Sequence, residues 1–252
     1  MDNTAKFSGK AESYQSARPG YPKQLAARLA ELGMKGADAA DVGAGTGIFS
    51  RFLREELGCS VWAVEPNGDM RRKAEQLLGN TPGIFLREGT AEATGLPSGS
   101  VSLVTAAQAF HWFSPQGFRR ECLRILRPGG MAVLVWNSRV EEAESVKRNG
   151  EIFRRFCPAF RGFSGGNWEE KQAAMEVFFG GKPACIRIPH NLYYTKEKFI
   201  QRSLSSSYSI GPGDEGYAAY LAALEGLFNQ YAEDGLLCVP NETKAYWGRL
   251  ES

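Results

Sequence analysis

This 252-residue chain is short of the groups that build metal centres and covalent cross-links. It has only two histidines, His111 and His190, and its five cysteines (Cys59, Cys122, Cys157, Cys185 and Cys238) lie far apart with no C-x-x-C pair. A structural zinc site is therefore not expected, and an odd, scattered set of thiols fits reduced cysteines in a cytoplasmic protein. An excess of one charge sign is also lacking. Thirty Lys and Arg against 28 Asp and Glu leave a net charge of +2, too little to argue for nucleic acid or a membrane surface as partner. No apolar run approaches the ~20 residues that span a bilayer. Met1–Lys10 is polar, without the apolar centre of a signal peptide. No internal repeat or low-complexity tract is present. What remains is the composition of an ordinary globular protein, at a length that suits one large α/β domain or a core with a small cap.

The stretch Ala39-Ala40-Asp41-Val42-Gly43-Ala44-Gly45-Thr46-Gly47-Ile48-Phe49 carries the most information. It reads as a strand end, a glycine loop and a helix start. Closely spaced glycines let the backbone turn sharply and let a ligand approach without meeting Cβ atoms. The unpaired N–H groups of the helix start then point at that ligand. The layout suits a nucleotide-like cofactor. Its spacing is G-x-G-x-G, and Ile48 stands where the last glycine of the dinucleotide fingerprint G-x-G-x-x-G belongs.

Strand and helix patterns alternate around this loop. Pro22 opens a helix with Leu25, Leu29 and Leu32 on its apolar face and Gly33 at its end. Strands are predicted at Ala37–Val42, Ser60–Val64, Gly83–Arg87, Val101–Ala106 and Met131–Trp136. Helices are predicted at Ile48–Leu57, Asp69–Leu78 and Ser114–Leu126, the last broken by Pro128-Gly129-Gly130. This order predicts a parallel sheet with helices on both faces. After Asn137 the character changes. Residues 141–180 and 196–232 read as largely helical cap elements and Cys185–Tyr194 as a strand. Leu236–Val239 and Thr243–Trp247 read as a last strand or closing hairpin. The expected organisation is an N-terminal lid and cofactor-binding core over 1–137, with cap elements and returning strands over 138–252, in a single compact domain.

Further motifs follow the same strands. Glu65 ends the second strand, 20 residues after Gly45, where a carboxylate can accept both ribose hydroxyls of an adenosine cofactor. Thr90-Ala91-Glu92 with Leu96-Pro97 follows the third strand, and Gln108-Ala109-Phe110-His111-Trp112-Phe113 follows the fourth. Leu126-Arg127-Pro128-Gly129-Gly130 precedes the fifth. In this order the set resembles the class I S-adenosylmethionine (SAM) dependent methyltransferases over residues 7–137, and more loosely over 138–252. Tyr14-x-x-x-Arg18-Pro19-Gly20-Tyr21-Pro22 and the His111-Trp112 pair resemble a small-molecule subgroup that includes enzymes similar to trans-aconitate methyltransferase.

The resemblance implies an α/β, Rossmann-like, doubly wound, seven-stranded and mostly parallel sheet, with helices on both faces and a helical C-terminal cap. It implies SAM as cofactor and methyl transfer to a small-molecule acceptor, a carboxylate or a hydroxyl. Asp41, Gly43, Ala44, Gly45 and Gly47 would hold the methionine portion, and Glu65 the ribose. Pro66 and Met70 would flank the adenine, with Ala91 and Glu92 at its edge and Gln108 beside the sulfonium. Tyr14 and Arg18 would form an N-terminal lid on the SAM carboxylate, with surface packing of the terminus as the competing reading. Thr90 stands where many relatives carry Asp.

His111 is the candidate general base, since an imidazole suits proton removal near neutrality. Packing of the His111-Trp112 pair against the cofactor, or its anchoring of the following helix, is the competing reading. Arg154, Arg155 and Arg161, interleaved with Phe153, Phe156, Phe160 and Phe163, suggest a pocket for an acidic acceptor or, more plainly, a solvated helix face. Two other functions share the glycine loop: an NAD-linked oxidoreductase, and a SAM-binding protein without catalysis.

Overall fold

The structure, a computed structural model, describes residues 20–163, 168–206 and 208–251. Tyr14 and Arg18 lie outside the described residues. In chain order the elements begin with α1 (Lys23–Glu31), β1 (Asp38–Val42), α2 (Ile48–Leu57), β2 (Ser60–Val64), α3 (Gly68–Leu78) and β3 (Ile84–Arg87). β4 (Val101–Ala107), a 3-10 turn (Phe110–Trp112), α4 (Pro115–Ile125) and β5 (Leu126–Arg139) follow. Next come α5 (Glu144–Phe156), α6 (Trp168–Phe179), β6 (Ala184–Pro189), β7 (Leu192–Tyr194) and α7 (Lys196–Leu204). The chain ends with α8 (Tyr217–Tyr231), β8 (Ala232–Glu233), β9 (Leu236–Val239) and β10 (Asn241–Arg249).

These elements sort into two units. One takes the chain up to Trp136 together with Glu169–Ile188 and the segment from Thr243, and the other takes Asn137–Trp168 and Pro189–Glu242. The first unit is built on a seven-stranded sheet in the order β3-β2-β1-β4-β5-β10-β6. The run from β3 to β5 is parallel, with pairs such as Val42↔Val64 and Asp41↔Thr105. The chain moves outward from β1 through β2 to β3, then restarts on the other side of β1 with β4. The order thus reverses at β1/β4, the place where doubly wound sheets bind ligands beyond the carboxyl ends of their strands.

Strand alternation sorts the core into two layers. Ala39, Val61, Leu103, Val133 and Val135 pack with Leu25 and Leu29 of α1 and with Phe49, Phe52 and Leu53 of α2. Ala40, Val42, Val104, Ala106 and Leu134 point the other way, to Phe118, Cys122 and Ile125 of α4 and Phe178 of α6. The fully buried rings of Phe118 and Phe178 stack with centroids 4.9 Å apart. Truncating a ring in such a place costs about 3–5 kcal/mol.

Three segments depart from the sequence expectation. Pro128-Gly129-Gly130 does not separate helix from strand. β5 already starts at Leu126, paired with Val101, and the register then jumps so that Met131 pairs with Leu103. The surplus residues leave the ladder as a bulge, with Gly129 at φ 78°. Cys185–Tyr194 is two strands, β6 in the large sheet and β7 in a three-stranded sheet of order β7-β9-β8. The break falls where the His190 N–H donates to the Asn241 carbonyl and the Asn191 Oδ1 accepts the Asn241 N–H. Helix α6, from the stretch predicted as cap, belongs to the first unit. Met175, Phe178 and Phe179 enter its core, and Arg119 Nη1 donates to the Phe178 carbonyl at 2.8 Å.

The second unit has its own core. Val146 and Phe153 of α5, Phe199 of α7, and Tyr220, Leu224 and Phe228 of α8 close over Leu237 and Val239 of β9. Phe153 and Phe160 are members of this core, with ring centroids 5.3 Å apart. They are therefore spent on packing, while Arg154, Arg155 and Arg161 face solvent. Among the described residues no helix is long and apolar enough to cross a membrane. No group of three or more His, Cys, Asp and Glu side chains there is placed to hold a metal ion.

Candidate cofactor site

The loop after β1 is shaped by glycine. Gly43, Gly45 and Gly47 have φ of 72°, 59° and 84°, a region that costs other residues about 1–2 kcal/mol. Two of them also lack room for a side chain. A Cβ on Gly43 would lie 2.6 Å from Ala109 Cβ, and one on Gly47 would lie 2.1 Å from Leu78 Cδ1. The N–H groups of Gly43 and Ala44 donate to the Val64 carbonyl at 2.8 and 3.1 Å, hooking the loop over the end of β2.

Glu65, directly after β2, completes that tie. Its Oε2 accepts the Gly45 N–H and its Oε1 accepts the Asn67 N–H, both at 2.9 Å. Burial pushes its carboxyl above the usual range, and these two bonds together with Arg71 pull it back. A carboxylate has about four acceptor directions. Two serve the backbone and, among the described residues, two remain unused, the number a pair of ribose hydroxyls requires. The turn beyond is clamped as well. Arg71 Nη1 donates to the carbonyls of Glu65 and Pro66 at 2.9 and 2.6 Å. Asn67 Oδ1 caps α3 by accepting the Met70 N–H at 3.0 Å, and the Met70 side chain is buried.

Asp41 points into the scaffold. Its Oδ2 accepts from Ser50 Oγ at 2.6 Å and its Oδ1 from Thr105 Oγ1 at 2.9 Å, so one carboxyl joins β1 to α2 and β4. Burial pushes its pKa up to about 6 against the two hydroxyl bonds, and the negative charge of Glu65 adds to the rise. With the residue 1% exposed and both oxygens taken, Asp41 supports the loop from beneath.

The third wall follows β4. Gln108 adopts φ 57°, an uncommon backbone state for a residue with a side chain and one that gathers at functional sites. Its N–H donates to the Val135 carbonyl at 2.8 Å. Phe110 is buried, while His111 and Trp112 are exposed on the 3-10 turn with ring centroids 4.8 Å apart. Ala91 is buried in the core. Glu92 Oε1 accepts the Ser114 N–H at 2.9 Å, tying the segment after β3 to the start of α4. Thr90 Oγ1 accepts the Ala93 N–H at 3.1 Å and closes a turn.

Thus the glycine loop, Glu65 and the Gln108 turn meet at the β1/β4 end of the sheet. Ser50, Thr105 and Arg71 are supports that sequence reading passes over, because hydroxyls and arginines carry no pattern that marks such a contact. Asn67 was open to detection, as an Asn immediately before a helix is a favoured cap. The residues fit an adenosine cofactor. The left-handed loop carries no side chain at Gly43, Gly45 and Gly47, and among the described residues Glu65 keeps acceptor capacity beside it.

Comparison with known proteins agrees. Residues 40–134 match the family described as methyltransferase domain. An uncharacterised methyltransferase of Mycobacterium tuberculosis is 37% identical over 154 residues, covering 61% of this chain and 61% of that protein. One from Schizosaccharomyces pombe is 28% identical over 210 residues, 81% of this chain and 79% of that protein. The chain spans about three fifths of the length of the mycobacterial relatives it matches. Among solved structures, a candidate type II methyltransferase of Anaeromyxobacter dehalogenans has a TM-score of 0.66 at 23% identity, covering 92% of this chain and 98% of that one. A candidate methyltransferase from an antibiotic biosynthesis pathway of Anabaena variabilis has a TM-score of 0.59 at 21% identity, covering 92% and 99%. Sequence match and architecture converge: residues 40–134 match the methyltransferase domain family, and the chain shares the α/β, Rossmann-like fold of these solved structures.

Proposed function

We propose that this chain binds SAM and transfers its methyl group to a small-molecule acceptor. The observation that carries the reading is the pairing of Gly45 with Glu65, which sets a left-handed glycine backbone beside a carboxylate that, among the described residues, has unused acceptor capacity. SAM, when bound, supplies an electrophilic methyl group on a sulfonium, so the hard chemistry belongs to the cofactor. The protein has to bind, orient and keep water out.

Gly43, Ala44, Gly45 and Gly47 receive the methionine portion while Asp41 braces them. Glu65 takes the ribose hydroxyls. Pro66, Met70, Ala91 and Glu92 frame the adenine, and Gln108 stands on the sulfonium side. His111 is the candidate proton acceptor. A carboxylate acceptor is its own nucleophile at neutral pH and needs no base, whereas a hydroxyl does. The His111-Trp112 pair supports membership of the small-molecule subgroup similar to trans-aconitate methyltransferase. The five cysteines, none in a disulfide, support a reducing, cytoplasmic setting.

Equilibrium binding of SAM against NAD is the first test, with saturable binding expected for SAM alone. Transfer of a labelled methyl group across di- and tricarboxylic acids, phenols and amines is the second. Absence of SAM binding overturns the reading. SAM binding with no transfer to any acceptor would make the chain a SAM-binding protein without catalysis.

A further inference from the structure

Two residues beside the glycine loop have no task in the proposed reaction. β1 lies between β2 and β4, so the loop that leaves β1 has a neighbour on each side. On the β2 side it is held by hydrogen bonds, from the Gly43 and Ala44 N–H groups to the Val64 carbonyl and from the Gly45 N–H to Glu65. On the β4 side it meets carbon. A Cβ built on Gly43 would lie 2.6 Å from Ala109 Cβ and 3.0 Å from Phe113 Cζ, so both side chains rest against the backbone of that glycine.

Neither side chain has room to retreat. The segment that carries them is pinned at both ends, by the Gln108 N–H on the Val135 carbonyl at 2.8 Å and by the Ser114 N–H on Glu92 Oε1 at 2.9 Å. Between these points the Trp112 and Phe113 N–H groups close the turn on the carbonyls of Ala109 and Phe110, at 2.9 and 3.0 Å. Ala109 is buried, and a methyl group has no other rotamer through which to withdraw. The Phe113 ring packs edge-on against Phe118 with centroids 4.9 Å apart, and Phe118 is itself stacked on Phe178. Interiors packed in this way transmit strain instead of absorbing it. The glycine loop is the softer partner, because hydrogen bonds hold it to the β2 side and these weaken as their geometry changes. Volume added at position 109 therefore pushes Gly43 toward β2 and disturbs the bond between the Gly45 N–H and Glu65.

We infer that Ala109 and Phe113 are positioning residues for the cofactor: they set where the glycine loop stands relative to Glu65, and the small size of Ala109 is a requirement of SAM binding. Neither side chain carries a group for the chemistry, and both act through the backbone of Gly43. The SAM part of this inference rests on the methyltransferase reading. The contact between turn and loop does not.

The test reads three quantities on the full chain: SAM affinity by calorimetric titration, the urea midpoint, and hydrogen exchange of the Gly45 N–H by NMR without SAM. Ala109→Val is expected to weaken SAM about tenfold or more and to speed exchange at Gly45. Ala132→Val, an equal increase in volume at a buried alanine of β5, should lower the midpoint but leave SAM affinity and the Gly45 exchange as in the parent. Gly43→Ala should also weaken SAM. Combining it with Ala109→Gly should recover part of that loss, since the 2.6 Å clash is gone although the backbone φ of 72° stays costly. Should Ala109→Val fail to fold, Ala109→Ser adds a single atom and is expected to act in the same direction. A folded position-109 variant that binds SAM like the parent overturns the inference, as does strict additivity of Gly43→Ala and Ala109→Gly. A parent that binds no SAM, with Gly45 exchange still faster in Ala109→Val alone, supports the hold on the loop and removes the methyltransferase reading.

Discussion

Replacing Glu65 separates two jobs that its carboxylate performs at once. Before any ligand arrives, its oxygens hold the N–H groups of Gly45 and Asn67 at 2.9 Å. Glu65→Gln keeps the shape but offers one oxygen and one NH2. Whichever backbone N–H meets the NH2 loses its acceptor and faces a donor. A buried N–H left unpaired costs about 1–3 kcal/mol. A second effect opposes this. Burial raises the Glu65 pKa, so the ionised form is itself costly to keep there, and a neutral side chain relieves that cost. The net loss of stability should therefore sit toward the low end of the range, about 1 kcal/mol. Affinity for SAM should fall further, by about 1–3 kcal/mol, because the ribose hydroxyls lose a charged acceptor. Urea denaturation reads the first quantity and calorimetric titration with SAM the second. A Glu65→Gln chain equal to the parent in both would refute the argument, since its carboxylate would then neither hold the loop nor meet the ribose.

Other perturbations follow from neighbouring contacts. Asp41 has a carboxyl pKa of about 6 in the fold against an ordinary 3.8, so between these values the folded chain keeps a proton that the unfolded chain has released. The Asp41 contribution to stability should fall as pH rises through that window and level off above it, and Asp41→Asn should reduce the slope in denaturation midpoints taken at about pH 4, 5 and 7, leaving the part that Glu65, also raised by burial, contributes. Gly47→Ala places a Cβ 2.1 Å from Leu78 Cδ1 at a backbone φ of 84°, and a loss of about 2–4 kcal/mol is expected. Shortening Leu78 to Val in the same chain should recover the packing part, and strict additivity of the two changes would rule the contact out. His111→Ala should keep most of the turnover number if the acceptor is a carboxylate, and lose about 10²–10⁴-fold if it is a hydroxyl or amine.

Much of the first unit was legible because its boundaries rest on local chemistry. Gly58, at φ 70°, ends α2 where the sequence places the end, and Ser114 with Pro115 starts α4 as a cap and first-turn pair. The position of Glu65 after β2 was legible too, as a spacing from Gly45, but the bond its carboxylate makes with the Gly45 N–H was not. What escaped depends on distant partners. The extension of β5 through Pro128-Gly129-Gly130 is decided by pairing with Val101 and Leu103. Helix α6 has apolar residues around much of its circumference, so its pattern could not say which core it joins. The clustered arginines of α5 drew attention through adjacency, but one helix face open to water accounts for them.

The path of the chain bears on how the protein comes to exist. The polypeptide leaves the first unit after Trp136, returns for Glu169–Ile188, leaves again and comes back only at Thr243. β10 occupies the place between β5 and β6. While the chain is being synthesised, Val133, Leu134 and Val135 therefore wait beside a missing strand until the last stretch has emerged. An apolar strand with one side unpaired invites pairing with other chains. A gene fragment ending near residue 137 would contain every recognisable motif and still be a sticky sheet of five strands out of seven. A permuted gene that places Asn241–Arg249 before β1 would supply the missing strand from the start, and should give more soluble protein from the ribosome.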